Sequence, residues 1–209
     1  MSSFEVDAIV FDCDGVLVDS NESIERSWRI WATRLGLDAG AILPGVHGRT
    51  SRAIAAEWLP PDQVDAAAAL MEEVELSDVA SVREVPGAGV LLAAIPAHRW
   101  AVVTSGTRPL FEARLAAAGL PTPTIAVTAE DVSRSKPDPE GYARALRLLG
   151  ADPAQSLVFE DTVPGMSSAR AAGVQWLVRI GKGAALADED AVIADLRQAS
   201  WTSRLELTG

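Results

Sequence analysis

Short, mostly apolar runs recur along the chain, and each gives way to a polar residue. They are Ala8-Ile-Val-Phe11 before Asp12, Trp100-Ala-Val-Val103 before Thr104, Thr124-Ile-Ala-Val127 before Thr128, Ser156-Leu-Val-Phe159 before Glu160, and Val174-Gln-Trp-Leu-Val178 before Arg179. Runs this short, rich in β-branched residues and without a helical period, predict strands buried on both faces. Helical patterns lie between them, over Pro109 to Ala118, Pro139 to Leu149 and Pro164 to Ala172. Gly119 and Gly150 follow the last periodic residue of two of these, the position where a left-handed residue stops a helix. Strands alternating with helices of this length imply right-handed βαβ units and a parallel sheet. Ala191 to Ala194 reads as a last edge strand in an otherwise less regular tail from Gly181 onward.

One segment breaks the alternation. From about Ser20 to Val85 the pattern shows helix signals only. Ile24, Trp28, Trp31 and Leu35 recur on one helical face that stops at Gly36. Arg49 to Trp58 and Pro61 to about Leu76 give two further helices, and Pro86-Gly87 marks a boundary. The expected architecture is α/β. A Rossmann-like parallel sheet core spans 1–19 and 86–209, with an all-helical segment, 20–85, inserted after the first long strand.

Composition narrows the function. The 209 residues suit one domain with an insert, and 48% apolar content is enough to exclude a disordered chain. A net charge of −11 repels nucleic acid and anionic membranes, so neither is an expected partner. An anionic ligand must therefore be held by a local basic group or a metal. Cys13 is the single cysteine, which leaves no intrachain disulfide and no cysteine metal cluster. The acidic start MSSFEVDAIVF has no basic signal-peptide region, and no apolar stretch is long enough to span a bilayer, so a cytoplasmic monomer is expected.

In open parallel sheets, ligands bind beyond the carboxyl ends of the strands. The residues that follow the strands here are Asp12, Asp14 and Gly15; Thr104, Ser105 and Gly106; Glu160 and Asp161; and, further along, Lys136. Asp-x-Asp-Gly is also a common strand-end turn, and Glu160-Asp161 also suits a helix N-terminus. Together, four carboxylates at one sheet edge repel unless a cation or a shared proton joins them, and a hard-oxygen set of this kind calls for Mg²⁺. Lys136 and a Thr-Ser hydroxyl pair beside it would complete a site for a phosphoryl group. Lysine is scarce, Lys136 and Lys182 against sixteen arginines, which makes Lys136 in Ser-Lys-Pro-Asp-Pro stand out.

These segments resemble the haloacid dehalogenase superfamily. Its four motifs have counterparts in order at Val10-Phe-Asp-Cys-Asp-Gly-Val-Leu-Val-Asp-Ser20, Ala101-Val-Val-Thr-Ser-Gly-Thr107, Ser135-Lys-Pro-Asp-Pro-Glu-Gly141 and Val158-Phe-Glu-Asp-Thr-Val-Pro-Gly165. Val103-Thr-Ser-Gly-Thr-Arg108 and Val127-Thr-Ala-Glu-Asp-Val132 are similar to sugar-phosphate and polyol-phosphate phosphatases, including those for glycerol phosphate and 2-deoxyglucose 6-phosphate. The resemblance implies that the helical insert is a cap and that the substrate is a small phosphorylated metabolite. It implies Asp12 as nucleophile, Asp14 as acid and base, and Thr104, Ser105, Gly106 and Lys136 around the phosphoryl group. It implies Mg²⁺ on Asp12, the main-chain carbonyl of Asp14 and Asp161, with Glu160 at or behind the ion. In the cap, His47, Gly48 and Arg49 are the residues implied to contact substrate. Trp28 and Trp31 read as cap core, and Cys13 as packing. A β-phosphoglucomutase-like enzyme and a phospho-accepting receiver module are the alternatives. The first lacks its cap histidine and lysine here, and the second is much shorter and has no cap.

Overall fold

The computed structural model describes residues 2–181 and 189–208; Lys182 lies outside them. The chain enters through β1 (Ser2–Phe4) and β2 (Ala8–Phe11), then β3 (Val18–Asp19). The helices α1 (Asn21–Leu35), α2 (Ala39–Ile42), α3 (Ser51–Trp58) and α4 (Val64–Asp78) follow, closed by β4 (Arg83–Glu84). Next come α5 (Ala88–Ala94), β5 (Trp100–Val103), α6 (Arg108–Ala118), β6 (Ala126–Val127) and α7 (Glu140–Leu149). The chain ends in β7 (Ser156–Glu160), α8 (Val163–Ala171), β8 (Trp176–Ile180), β9 (Ala191–Ile193), β10 (Ala199–Trp201) and β11 (Leu205–Leu207).

Among the described residues, six strands form a parallel sheet in the order β6-β5-β2-β7-β8-β9. The chain runs outward from β2 through β5 to β6, then crosses back to β7 on the other side of β2. That reversal places the carboxyl ends of β2, β5 and β7 around one crevice. Alternate side chains of β2 feed two cores. Ile9 and Phe11 pack with α5 and α6, where Phe11 stacks on Phe159 with ring centroids 5.1 Å apart, and Val10 packs with Tyr142, Leu146 and Met166 of α7 and α8. Burial on both faces is why the central strands read as continuous apolar runs.

The helical insert has its own core, in which Ile24, Trp28, Trp31, Ile54, Val64 and Met71 cluster; the two tryptophans pack edge to face at 5.0 Å. Its two connections to the sheet pair as an antiparallel ribbon, Val18 with Glu84 and Asp19 with Arg83. The expectation of helix alone up to Val85 is corrected at this point: the last residues of that stretch are extended because they hydrogen-bond back to the entry strand. Thr50, whose side chain accepts from the Ala53 N–H at 3.3 Å, starts α3 at Ser51 rather than Arg49. The third long strand shrinks to Ala126–Val127, after Pro121 and Pro123, which cannot donate to a ladder. Ala191–Ile193 is an edge strand, as expected. Two features escape the sequence pattern. Helix α5, AGVLLAA, is under two turns and mostly apolar, so it shows no period. The antiparallel sheet β1-β11-β10 is built of three-residue strands too short to alternate visibly. Among the described residues, no helix is long and apolar enough to cross a membrane.

Candidate active site

The Asp12 N–H donates to the Phe159 carbonyl at 3.0 Å, which carries the β2–β7 pairing one residue past the strand. The chain then wraps around the carbonyl of Cys13, which accepts from Leu17 and Val18 N–H groups at 2.8 and 3.0 Å. The Cys13 side chain points into the core, and burial raises its thiol pKa well above the usual range, so it packs rather than reacts. Two glycines let the carboxylates close in. A Cβ on Gly15, whose φ is +80°, would stand 2.0 Å from Asp161 Oδ2. A Cβ on Gly165 would stand 1.6 Å from Glu160 Oε1. Neither position has room for a side chain.

Lys136 is the hub of the buried half of the site. Its Nζ donates to Asp12 Oδ1 and to Glu160 Oε1, each at 2.6 Å, and lies 5.2 Å from the centre of the Tyr142 ring. Glu160 accepts further from the Tyr142 hydroxyl at 2.9 Å, from the N–H groups of Asp161 and Thr162 at 2.9 and 3.0 Å, and from the Thr162 hydroxyl at 2.9 Å. Five protein donors leave its two oxygens little capacity for anything else. Burial would raise the Glu160 pKa, but Lys136 and these donors outweigh it and hold the carboxyl ionised. Asp12 has fewer donors, and burial raises it to about 7 despite Lys136, with Glu160 and Asp14 adding repulsion. Asp161 is pushed well above the carboxylate range by burial, then by Glu160 and Asp12.

One carboxylate oxygen from each of Asp12, Glu160 and Asp161 lies within 4.8 Å of the others. Among the described residues, buried Asp161 Oδ1 has no partner. Hard oxygens, mutual repulsion and an orphaned acceptor together fit a divalent cation. The Asp14 carboxylate stands outside this set. The Ser20 hydroxyl donates to it at 2.6 Å, and Arg114 Nη1 lies 3.0 Å from it. Thr104 Oγ1 accepts from the Gly106 N–H at 3.0 Å, which shapes the turn after β5. Thr104 and Lys136 are both nearly buried.

The insert covers this edge. Asp12, Asp14, Asp161, Ser105 and Gly106 share one cavity with His47, Gly48 and Arg49, whereas Thr104, Lys136 and Glu160 do not line it. Gly48 accepts from the Ser105 hydroxyl at 2.9 Å. Arg49 forms a two-pronged ion pair with Glu57 of α3. The cavity is narrow, about 60 Å³. It leads through His47, Arg49, Asn21, Asp161 and Thr162 into an open groove of about 640 Å³. Sequence reasoning missed Glu72, Glu75, Thr107, Arg114 and Tyr142. Arg114 did leave a signal: it falls in phase with Leu110, Phe111 and Leu115, on the face of α6 that is buried.

A family model for haloacid dehalogenase-like hydrolases matches residues 6–173. Hexitol phosphatase A of Escherichia coli is 40% identical over 172 residues, covering 78% of each chain. 2-Deoxyglucose-6-phosphate phosphatase 2 of Saccharomyces cerevisiae is 31% identical, covering 96% of this chain and 92% of that one. Among solved structures, a hydrolase from Pseudomonas syringae superposes with a TM-score of 0.81 at 22% identity, over 91% of this chain and 94% of that one, a likeness of fold.

Proposed function

Because the chain belongs to the haloacid dehalogenase-like hydrolases, we propose that it is a Mg²⁺-dependent phosphatase of small sugar-phosphate or polyol-phosphate monoesters, acting through a phosphorylated Asp12. The observation that carries this reading is the buried cluster at the ends of β2 and β7. There Lys136 bridges Asp12 and Glu160, while Asp161 keeps an oxygen with no partner among the described residues. The relatives named for hexitol phosphate and 2-deoxyglucose 6-phosphate support the substrate class.

In this reading, an Asp12 oxygen attacks phosphorus in line, a P–O bond forms to Asp12, and the bond to the alcohol oxygen breaks. Asp14 gives a proton to that oxygen, then takes one from the water that attacks the phosphoryl-Asp12 and frees phosphate. Lys136 offsets phosphoryl charge beside Asp12, and the Thr104 hydroxyl, Ser105 N–H and Gly106 turn hold the phosphoryl oxygens. Asp12, the Asp14 main chain and Asp161 would hold Mg²⁺. Glu160, saturated by its five donors, holds Lys136 and the turn into α8 in place. A bound divalent ion supplies positive charge that favours ionised Asp12 and draws density from phosphorus. Residues 20–85 act as a cap hinged at the β3–β4 ribbon, opening to admit substrate and closing to exclude water. His47, Gly48 and Arg49 line its inner surface.

The test is phosphate release from a panel of sugar and polyol monophosphates, with Mg²⁺ and with excess chelator. Asp12→Asn should abolish turnover. Asp14→Asn should lower kcat by roughly 10²–10⁴-fold on alkyl phosphates and less on aryl phosphates, whose alcohols leave without a proton. Release that is indifferent to chelator, or normal turnover by Asp12→Asn, would refute the mechanism.

A further inference from the structure

The inner wall of the insert carries a feature that the phosphatase chemistry does not use. Glu72 and Glu75, one turn apart on α4, line the same cavity as Asp12 and Asp14. Each is pinned through one oxygen only. The Thr107 hydroxyl donates to Glu72 Oε1 at 2.5 Å, and Arg114 Nη2 donates to Glu75 Oε1 at 2.9 Å. Among the described residues, neither Oε2 has a protein donor. Arg114 is 3% exposed, lines the cavity and has an Nε–H with no partner.

We infer that Glu72 and Glu75, held by Thr107 and Arg114, select for esters whose alcohol carries neutral hydroxyl groups and exclude esters whose alcohol carries a carboxylate. This rests on the phosphatase reading and narrows it. A hydroxyl carries a proton that it can donate to a glutamate Oε2. A carboxylate offers acceptors only and meets two like charges across a narrow cavity. Among the described residues, each arginine or lysine beside it already neutralises a carboxylate. Arg114 is committed to Asp14 and Glu75, and Arg49 is paired with Glu57. Lys136 sits behind Asp12, paired with Asp12 and Glu160, where it serves the phosphoryl group.

A matched pair of probes isolates the charge. 2-Hydroxyethyl phosphate and 2-phosphoglycolate are similar in size and differ in a terminal hydroxyl against a carboxylate. The wild-type protein should favour the hydroxyl ester in kcat/KM by about 100-fold, the scale of one lost hydrogen bond to a charged group combined with like-charge repulsion. Glu72→Gln keeps an acceptor for Thr107 and removes the charge, so the preference should fall by about 10-fold or more, mainly through KM for 2-phosphoglycolate. Glu75→Gln should act in the same direction. Glu75→Gln also removes an ion partner of buried Arg114, so Glu72→Gln is the deciding variant if Glu75→Gln does not fold. A wild-type ratio near one, or a ratio unchanged in Glu72→Gln, overturns the inference while leaving the phosphatase reading intact. A uniform loss of kcat on both esters assigns Glu72 to holding the cap closed and also overturns it. Failure to hydrolyse any monoester removes the phosphatase reading and this inference with it.

Discussion

Lys136 is a single buried cation set between two carboxylates, with Nζ 2.6 Å from each. Removing one partner from such a group strands the rest, at about 3–5 kcal/mol. Lys136→Met is therefore expected to destabilise the metal-free protein by about that amount at pH 8. The loss should be smaller at pH 5.5, because Asp12, already raised to about 7 by burial, takes up a proton there and relieves the repulsion with Glu160. Urea unfolding at both pH values measures this; equal losses would show that charge is not what Lys136 supplies. Arg49 poses the opposite case. Its guanidinium lines the cavity but is paired with Glu57, whose carboxyl it holds below the usual range. Arg49→Ala is expected to raise KM for sugar or polyol phosphates and lower kcat/KM by roughly 10-fold, with acetyl phosphate, too small to reach the cap, little affected. Equal effects on both substrates would leave Arg49 only as a tie between the cap loop and α3.

The elements around the site are spaced to bring carboxylates closer than side chains normally permit. The start of α8, capped by Thr162 Oγ1 accepting from Gly165 N–H at 3.2 Å, lies against Glu160 because residue 165 has no Cβ. Gly165→Ala would place a methyl on the Glu160 carboxylate and push it off Lys136. Overpacking of this kind costs about 1–3 kcal/mol. For a chain of this length, melting should fall by about 2–4 °C per kcal/mol. Thermal unfolding checks the stability, and turnover should fall in parallel because Lys136 loses its anchor. A protein with unchanged melting and turnover would mean that α8 yields without disturbing Glu160.

On the scale of the whole molecule, proton uptake by the buried carboxyls makes stability depend on pH, and a metal held by the same oxygens would compete with those protons. A carboxyl whose pKa is raised in the folded state binds a proton that the unfolded chain has already released. Stability therefore falls as pH rises from near 4 through about 7 for Asp12, and Asp161 acts in the same sense. The carboxyls lowered on folding, including Glu160, Asp131 and Glu140, work in the opposite sense: their stability is lost at more acid pH, is gained as pH rises through their unfolded range near 4, and is essentially complete by pH 5.5. Chelated protein should thus melt lower at pH 8 than at pH 5.5. Added Mg²⁺, which competes with protons for the same oxygens, should raise the melting temperature more at pH 8. A chelated melting temperature that stays flat or rises over this range would contradict the coupling. At the same scale the −11 charge sets the site a task, since a phosphate dianion is repelled at long range and must be held by local groups.

Much of this protein is legible in the sequence because the signals involved are local. A strand buried on both faces has to be apolar throughout, so Ala8–Phe11, Trp100–Val103 and Ser156–Glu160 announce themselves, and the residue that ends each run marks the sheet edge. Helical period reveals the insert, and the order of Asp12, Asp14, Thr104, Lys136, Glu160 and Asp161 points to the candidate site at the sheet edge. Contacts made between distant segments are not encoded this way. Arg114 meets Asp14 across 100 residues and Glu75 across 39, while Thr107 meets Glu72 across 35. The phase of Arg114 with Leu110 and Phe111 shows that it is buried, but an apolar stripe names no partner for the charge it carries. Which carboxylates face it depends on how the insert lies over the sheet, a property of the β3–β4 ribbon and the packed faces rather than of any one segment. The catalytic edge is thus written along the chain, whereas the wall opposite it, where the alcohol end of a substrate would be judged, exists only once insert and core have come together.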